Sequence, residues 1–397
     1  MSQPAVLDIS SFSNELRFLL RLLRSDLKLE TEEAARLAKD LDWESFLRHA
    51  VYHEIYPVIY PMLIQLNYKF QWTPVNVLAE LKALYSQNTV IMLQLSGELE
   101  LINALLEEQG IRPLFLRGPF LAAMLYDDIS GSTSGELEIL VAEMDCGASV
   151  QQLLSAGYTS TGQCTAEALH NECKTYYASY IHQEKKIKLN LYWNRYPEIV
   201  NGSTFEELWT RRQVISKDKR VYTLGKEDLL FDLIMHGTRH GWSSLKWLQN
   251  IDRMMSQFLN WNRMNQLFEM SRTRLLGGEA FILATQLLGT LLPEEAHVMT
   301  HEPKSRRLAQ MVLPFIREEL NLYPKPERTD IGVLFNRYSL MTMSFKQKLL
   351  YKANKPYLTL KKEFRWSQSL FFLYLTLRPF LWFRRQMKRQ TPRQKTS

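Results

Sequence analysis

At Gly110 the chain changes its hydrophobic period, and that change limits what it can fold into. Before it, apolar residues recur at helical spacing: Leu16, Leu19, Leu20 and Leu23, then Trp43, Phe46, Leu47 and Val51. A long periodic segment from Leu78 to Leu106 contains no proline and one glycine. Thr31 ahead of Glu32 and Glu33 reads as a helix start, because acids in the first turn suit the helix dipole. After Gly110, Ile111 to Leu116 is a short apolar run that ends in Arg117-Gly118. Pro119 sits at a natural first helical position, and Phe120 to Tyr126 reads as helix. A loop rich in Asp, Ser and Gly covers 127–135. Leu137, Ile139 and Val141 then alternate with Glu136, Glu138 and Leu140, the spacing of a strand. Val150 to Leu154 reads as a short helix, and Lys174 to Ile181 and Lys186 to Trp193 as two strands. The region 110–195 is therefore expected to run strand–helix–strand–helix–strand–strand, a small α+β unit.

Beyond it the pattern returns to helix. Ser203 with Glu206 fits a capping box ahead of Phe205 and Leu208. Leu224 to Asp228 opens a helix through Leu229, Leu230, Leu233, Ile234 and His236, and further helical patterns follow at 243–258, 262–269, 274–290, 304–322 and 329–350. The expected organisation is a helical region 1–108, an α+β core 109–200, a helical domain 201–360 and a tail 361–397.

Composition excludes several classes. With 397 residues, 46% of them hydrophobic, the chain can bury a substantial core, and its 12% aromatics and 23% charged residues are not a disordered composition. Met1 to Leu29 carries acids at Asp8, Glu15 and Asp26 and lacks the order of a secretory leader. Three cysteines make no disulfide framework, so a cytoplasmic location is the default expectation. The net charge of +7 is unevenly spread: 361–397 holds ten basic residues and one acid, so 1–360 sums to −2. A near-neutral body argues against a long nucleic acid as partner.

The stretch from Phe115 to Val141 carries the chemistry. Residues two apart on a strand share a face, so Glu136 and Glu138 can act together. Gly118 and the helix start at Pro119 offer backbone N–H donors to a phosphate, and two carboxylates can share Mg²⁺ ions that bridge a triphosphate. The alternative is that both glutamates form the solvent face of an edge strand whose Leu137, Ile139 and Val141 are core.

The order of these parts resembles the nucleotidyltransferase fold, and more closely a bacterial family of largely uncharacterised nucleotidyltransferase-like proteins. The resemblance rests on Phe115-Leu116-Arg117-Gly118, Leu125-Tyr126, Glu136-Leu137-Glu138-Ile139-Leu140-Val141 and Asn190-Leu191-Tyr192-Trp193. It continues in Glu227-Asp228-Leu229-Leu230, His236-Gly237, His240-Gly241-Trp242 and Leu245-Lys246-Trp247-Leu248, in register from about residue 10 to 260. It implies an α+β core, a mixed sheet flanked by two mainly helical regions, in a bacterial protein of a polysaccharide or modified-peptide biosynthetic cluster. It also implies Mg²⁺-dependent transfer of a nucleotidyl group from an NTP to a small-molecule, sugar or peptide acceptor. Glu136 and Glu138 would hold the metals, Asn190 would take the third carboxylate position, and Arg117, Gly118 and Pro119 would take the triphosphate.

The departures from the family pattern fall on that chemistry. Arg117 stands where the family has Lys, Glu136 and Glu138 where it has Asp, Ser132-Thr133 where it has Arg-Pro, Asn190 where it has a third carboxylate, Tyr192 where it has His, and Asn250 where it has Asp. Glutamate moves its carboxylate by roughly 1 Å, and Mg²⁺ demands near-octahedral geometry at about 2 Å. An amide cannot accept a proton, and loss of a general base typically costs about 10²–10⁴-fold in rate. Two readings stay open: an active transferase, and a degenerate member that binds a partner enzyme, a nucleotide or a membrane.

Three further features bear on function. His236 and His240 share a helical face and could hold a metal with a third ligand, although packing beside Trp242 and Trp247 explains them as well. Cys164, His170 and Cys173 lack the spacing of a zinc site. The tail mixes Trp366, Phe371, Tyr374, Phe380 and Trp382 with Arg and Lys, which suits an anionic membrane surface on the inner face, or a last helix docked on the body. Its longest apolar run, Ser369 to Phe383, contains Arg378-Pro379 and is shorter than the roughly 20 residues of a spanning helix.

Overall fold

The computed structural model describes residues 6–343 and Lys348, except for 27–35, 162–175, 197, 198, 200, 201, 217 and 320–328. Cys164, His170, Cys173, the helix start at Thr31 and the tail 361–397 therefore lie outside the described residues. The helices and strands belong to one compact unit that ends at Thr342.

The helices α1 (Asn14–Leu23), α2 (Trp43–Tyr52), α3 (Tyr56–Phe70) and α4 (Val75–Glu107) lead in. Ser13 caps α1 by accepting from the Leu16 N–H, and Asp42 caps α2 through Glu44 and Ser45. The core follows in the order β1 (Leu114–Arg117), α5 (Pro119–Tyr126), β2 (Glu136–Leu140), α6 (Cys146–Ser155), β3 (Tyr158–Ser160), β4 (Tyr177–His182) and β5 (Ile187–Tyr192). Next come α7 (Phe205–Thr210), β6 (Gln213–Ser216) and β7 (Val221–Thr223). The helices α8 (Lys226–Arg239), α9 (Leu245–Met255), α10 (Trp261–Met270), α11 (Arg274–Leu288), α12 (Glu294–Thr300), α13 (Pro303–Arg317) and α14 (Asp330–Thr342) complete the unit.

The fold is α+β, with one mixed sheet ordered β3-β4-β5-β2-β1-β7-β6. Three of these strands are not legible in the sequence. β3, β6 and β7 are three or four residues long, too short to display a period of two. The return to helix expected after residue 195 is thus interrupted by β6 and β7, and β7 pairs in parallel with β1 through Phe115 and Thr223. The capping box also lies one residue later than expected: Thr204 and Glu207 exchange the reciprocal bonds, not Ser203 and Glu206. The phase of the helix decides this, since the capping residue must itself be extended, as Thr204 is.

β2 sits in the interior of the sheet, parallel to β5 on one side and antiparallel to β1 on the other. The edge-strand reading of Glu136 and Glu138 is therefore wrong. Leu137 and Ile139 are fully buried on one face, and Glu138 is buried on the other.

The loop 127–135 is held by α4. The Asn88 side-chain amide donates to the Ser130 and Ser132 carbonyls at 3.0 and 2.9 Å, and the Tyr85 hydroxyl donates to Asp128 at 2.6 Å. A loop rich in Ser and Gly is thereby fixed before it enters β2. In the helical part, α11 packs against α12 and α13 at close backbone approach. A Cβ on Gly278 would fall within contact distance of the Met299 carbonyl oxygen and 2.6 Å from Ser305 Oγ. Gly278→Ala is expected to push these helices apart and to cost about 1–3 kcal/mol in a urea unfolding experiment. A change below about 0.5 kcal/mol would mean that the helices separate freely.

Candidate functional site

Pairing places three of the sequence-selected residues side by side on one sheet face. Arg117 is the register partner of Glu138 across β1 and β2, and Glu138 is the partner of Asn190 across β2 and β5. Glu136, two residues before Glu138, is the partner of Lys188. Gly118 and Pro119 follow β1 directly. Gly118 has φ of 136°, a region that glycine adopts without the penalty of a Cβ, and it lets the chain turn from β1 into α5.

The side chains are not arranged as an open metal site. Arg117 Nη2 donates to Glu138 Oε2 at 2.5 Å, and Arg195 Nη2 donates to the same oxygen at 3.1 Å. Arg195 Nε donates to Asp232 Oδ1 at 2.8 Å, and Arg117 Nη1 lies 3.5 Å from Asp232 Oδ2. The Tyr196 hydroxyl donates to Asp232 Oδ1 at 2.6 Å, and the Arg195 guanidinium lies 4.2 Å from the centre of the Tyr192 ring. Two guanidiniums and two carboxylates thus form one buried cluster between the sheet and α8. Its formal charges cancel.

The cluster shapes its own ionisation. Burial pushes the Glu138 carboxyl up to about 7, against the pull of Arg117. Burial likewise raises Asp232, again opposed by Arg117. For Arg117, burial works against the charge, but Glu138 and Asp232 more than offset it and hold the guanidinium protonated.

The third carboxylate position is also committed. Asn190 Oδ1 accepts from Ser179 Oγ at 2.6 Å, a bond from β4 to β5. Asn250, where the resembling family has Asp, accepts from the Tyr126 hydroxyl at 2.8 Å and ties the end of α5 to α9. Thr133 lies at the loop position of the family's Arg-Pro. It donates to Glu54 at 3.2 Å and lies 3.1 Å from Lys246 Nζ, which pairs with Glu54 at 2.6 Å.

Mg²⁺ does not fit this donor set. The buried carboxylate oxygen that would hold it already accepts from two guanidiniums, the neighbouring position is an amide, and Lys188 stands beside Glu136 in the register. Among the described residues, no group of three or more His, Cys, Asp or Glu side chains is placed to hold a metal. His236 and His240 do meet, with ring centres 4.3 Å apart, but both pack on Trp247 at 5.4 and 5.2 Å. Burial depresses both, His240 to about 3, so they are neutral packing groups. Trp242, also expected beside them, instead lies against Gly237.

Two members of the cluster escape a reading of the sequence. Asp232 has a signal: it lies one turn before His236 and one turn after Asp228, a polar line at i, i+4 through the otherwise apolar stretch Leu229 to Met235. Arg195 has none, since it sits in a loop and is defined by what it reaches. Arg195 and Asp232 also line a cavity of about 510 Å³ with Trp193, Tyr196, Phe231 and Arg263; Glu136, Glu138 and Asn190 do not line it.

Comparison with known protein families gives a match. The family described as "Uncharacterised nucleotidyltransferase" matches residues 39–289, more than half of the chain. A search of curated proteins gives no match.

Proposed function

The chain belongs to this family of uncharacterised nucleotidyltransferases, and on that premise we propose that it is a nucleotidyltransferase-like protein that acts by binding, its metal-dependent chemistry lost. The observation that carries this reading is the state of Glu138, whose Oε2 accepts from Arg117 and Arg195 together. Transfer by this fold needs carboxylates free to hold divalent cations and a base for the attacking hydroxyl. Here the guanidiniums supply the positive charge in place of the ions, as permanent covalent parts of the chain. Asn190 carries no charge and accepts no proton. An ion approaching Glu138 would have to displace two buried guanidiniums and leave both to share Asp232.

Binding assays with ATP, CTP, GTP and UTP, run in Mg²⁺ and in EDTA with pyrophosphate release followed in parallel, test the proposal. The expected result is no Mg²⁺-dependent release of pyrophosphate, and nucleotide heats, where they occur, that are equal in the two buffers. Mg²⁺-dependent release that disappears in Glu136→Gln would overturn it and restore the active reading, with a small-molecule, sugar or peptide acceptor. Glu136 is only half-buried, so that variant is expected to fold.

A further inference from the structure

Among the described residues, the long helix α4 has one buried side and one exposed side. Its inward side holds Val77, Leu81, Met92, Leu95, Leu99, Ile102 and Leu106. Its outward side presents Ala83, Ser86, Val90, Leu93, Gly97, Leu101 and Ala104, all exposed. Val90, Leu93 and Leu101 are 56%, 56% and 61% exposed, and a Cβ on Gly97 would meet nothing within 4 Å. These positions are spaced by three and four residues over about 30 Å of helix, close to the heptad period of a two-stranded coil. None of these seven positions is charged; Glu100 flanks them, paired with Lys219, and would lie beside Val90 of the other copy in the register below. Charges appear at its ends, with Lys82 before it and Glu107 and Glu108 after it.

We infer that this face of α4 is the interface of a homodimer, in which two copies pair antiparallel about a two-fold axis passing between Leu93 and Gly97. In that register Leu93 of each copy fills the gap over Gly97 of the other, a large side chain against a missing one. The same register brings Ser86 opposite Ala104 and Lys82 opposite Glu108, so the terminal charges attract. A parallel pairing would place Lys82 against Lys82 and Glu108 against Glu108. An isologous contact must be complementary to itself, and this face is so in the antiparallel sense only. A bilayer would need the helix clear on all sides, whereas its inward side is core. A nucleic acid would need free cations along the line, whereas Lys219, beside it, is paired with Glu100.

Sedimentation equilibrium of the full chain, from the micromolar to the hundred-micromolar range, tests the interface. The wild type is expected to be dimeric. Leu93→Glu, a change at an exposed position, should weaken the dimer by roughly 30-fold or more while leaving the circular dichroism spectrum unchanged. Lys82→Glu should weaken it less, and adding Glu107→Lys and Glu108→Lys to the same chain should restore it. A wild type that is monomeric at every concentration overturns the inference, whether the face is bare or covered by residues 343–397. A dimer indifferent to Leu93→Glu, or a charge exchange that fails to restore pairing, overturns it as well.

Discussion

Arg195→Ala is expected to destabilise the protein by about 3–5 kcal/mol, because it removes one cation from a buried, closed set of charges. The Arg195 side chain is 8% exposed, and its partners Glu138 and Asp232 are 6% and 2% exposed. With the guanidinium gone, Asp232 keeps the Tyr196 hydroxyl, the more distant Arg117 and the field of Arg239, and Glu138 keeps its bond from Arg117. Water cannot easily replace the lost donors, so the cost is that of an uncompensated buried charge and far exceeds that of a surface ion pair. For a unit of this size the melting temperature should fall by roughly 4–7 °C. Adding Asp232→Asn to Arg195→Ala removes the orphaned charge and should recover part of the loss. A single-variant loss below about 1 kcal/mol would show that the cluster is solvated and contributes as surface pairs do. The same outcome would weaken the view that these guanidiniums replace metal ions.

Glu279→Gln is expected to reverse its effect on stability with pH. Glu279 is completely buried on α11, and its Oε1 accepts from the Tyr338 hydroxyl of α14 at 2.8 Å. Burial pushes its carboxyl up to about 8, opposed by the Tyr338 bond. The native state therefore holds its proton more tightly than the unfolded chain, in which a glutamate titrates near 4.5. The stability this group contributes is fully present below about pH 4.5 and is lost progressively as the pH rises to about 8, by several kcal/mol in all. The amide cannot ionise. At pH 5 the variant should be no more stable than the wild type, and at pH 8.5 it should be more stable, so the two curves cross. Glu138 and Asp232 are raised in the same sense and keep a residual slope in both proteins. Parallel curves in urea titrations at pH 5, 7 and 8.5 would show that Glu279 does not titrate in this window.

Both expectations concern groups whose behaviour cannot be read from their sequence neighbourhoods. The strand pattern at Glu136–Leu140 and the turn at Gly118 are legible, because alternation and a glycine ahead of Pro119 are local signals. The identity of the strand's neighbours is not local. Leu137 and Ile139 require one buried face on any placement, but only Arg195 and α8, packed on the other side of the sheet, bury the Glu138 face as well. That turns Glu138 from a surface residue into a buried charge. The resemblance suggests Arg117 as an aid to a triphosphate; its position at the end of β1 is as expected, yet its guanidinium is engaged by Glu138. Asn190 is placed opposite Glu138 by the parallel register, and there its amide bonds across to Ser179.

The sequence by itself determined the alternation of helical and strand periods, the α+β class and the family, because these depend on spacing along the chain and on which side chains prefer water. Through the resemblance it also marked Arg117, Glu136, Glu138 and Asn190 as expected changes at the site. The tertiary structure decided what those changes amount to. Arg195, in a loop, reaches Glu138 on β2 and Asp232 on α8, each tens of residues away, and only folding brings these charges within hydrogen-bond distance. Coulombic attraction in a buried site depends on separation and on the exclusion of water, and neither quantity is written in the order of residues.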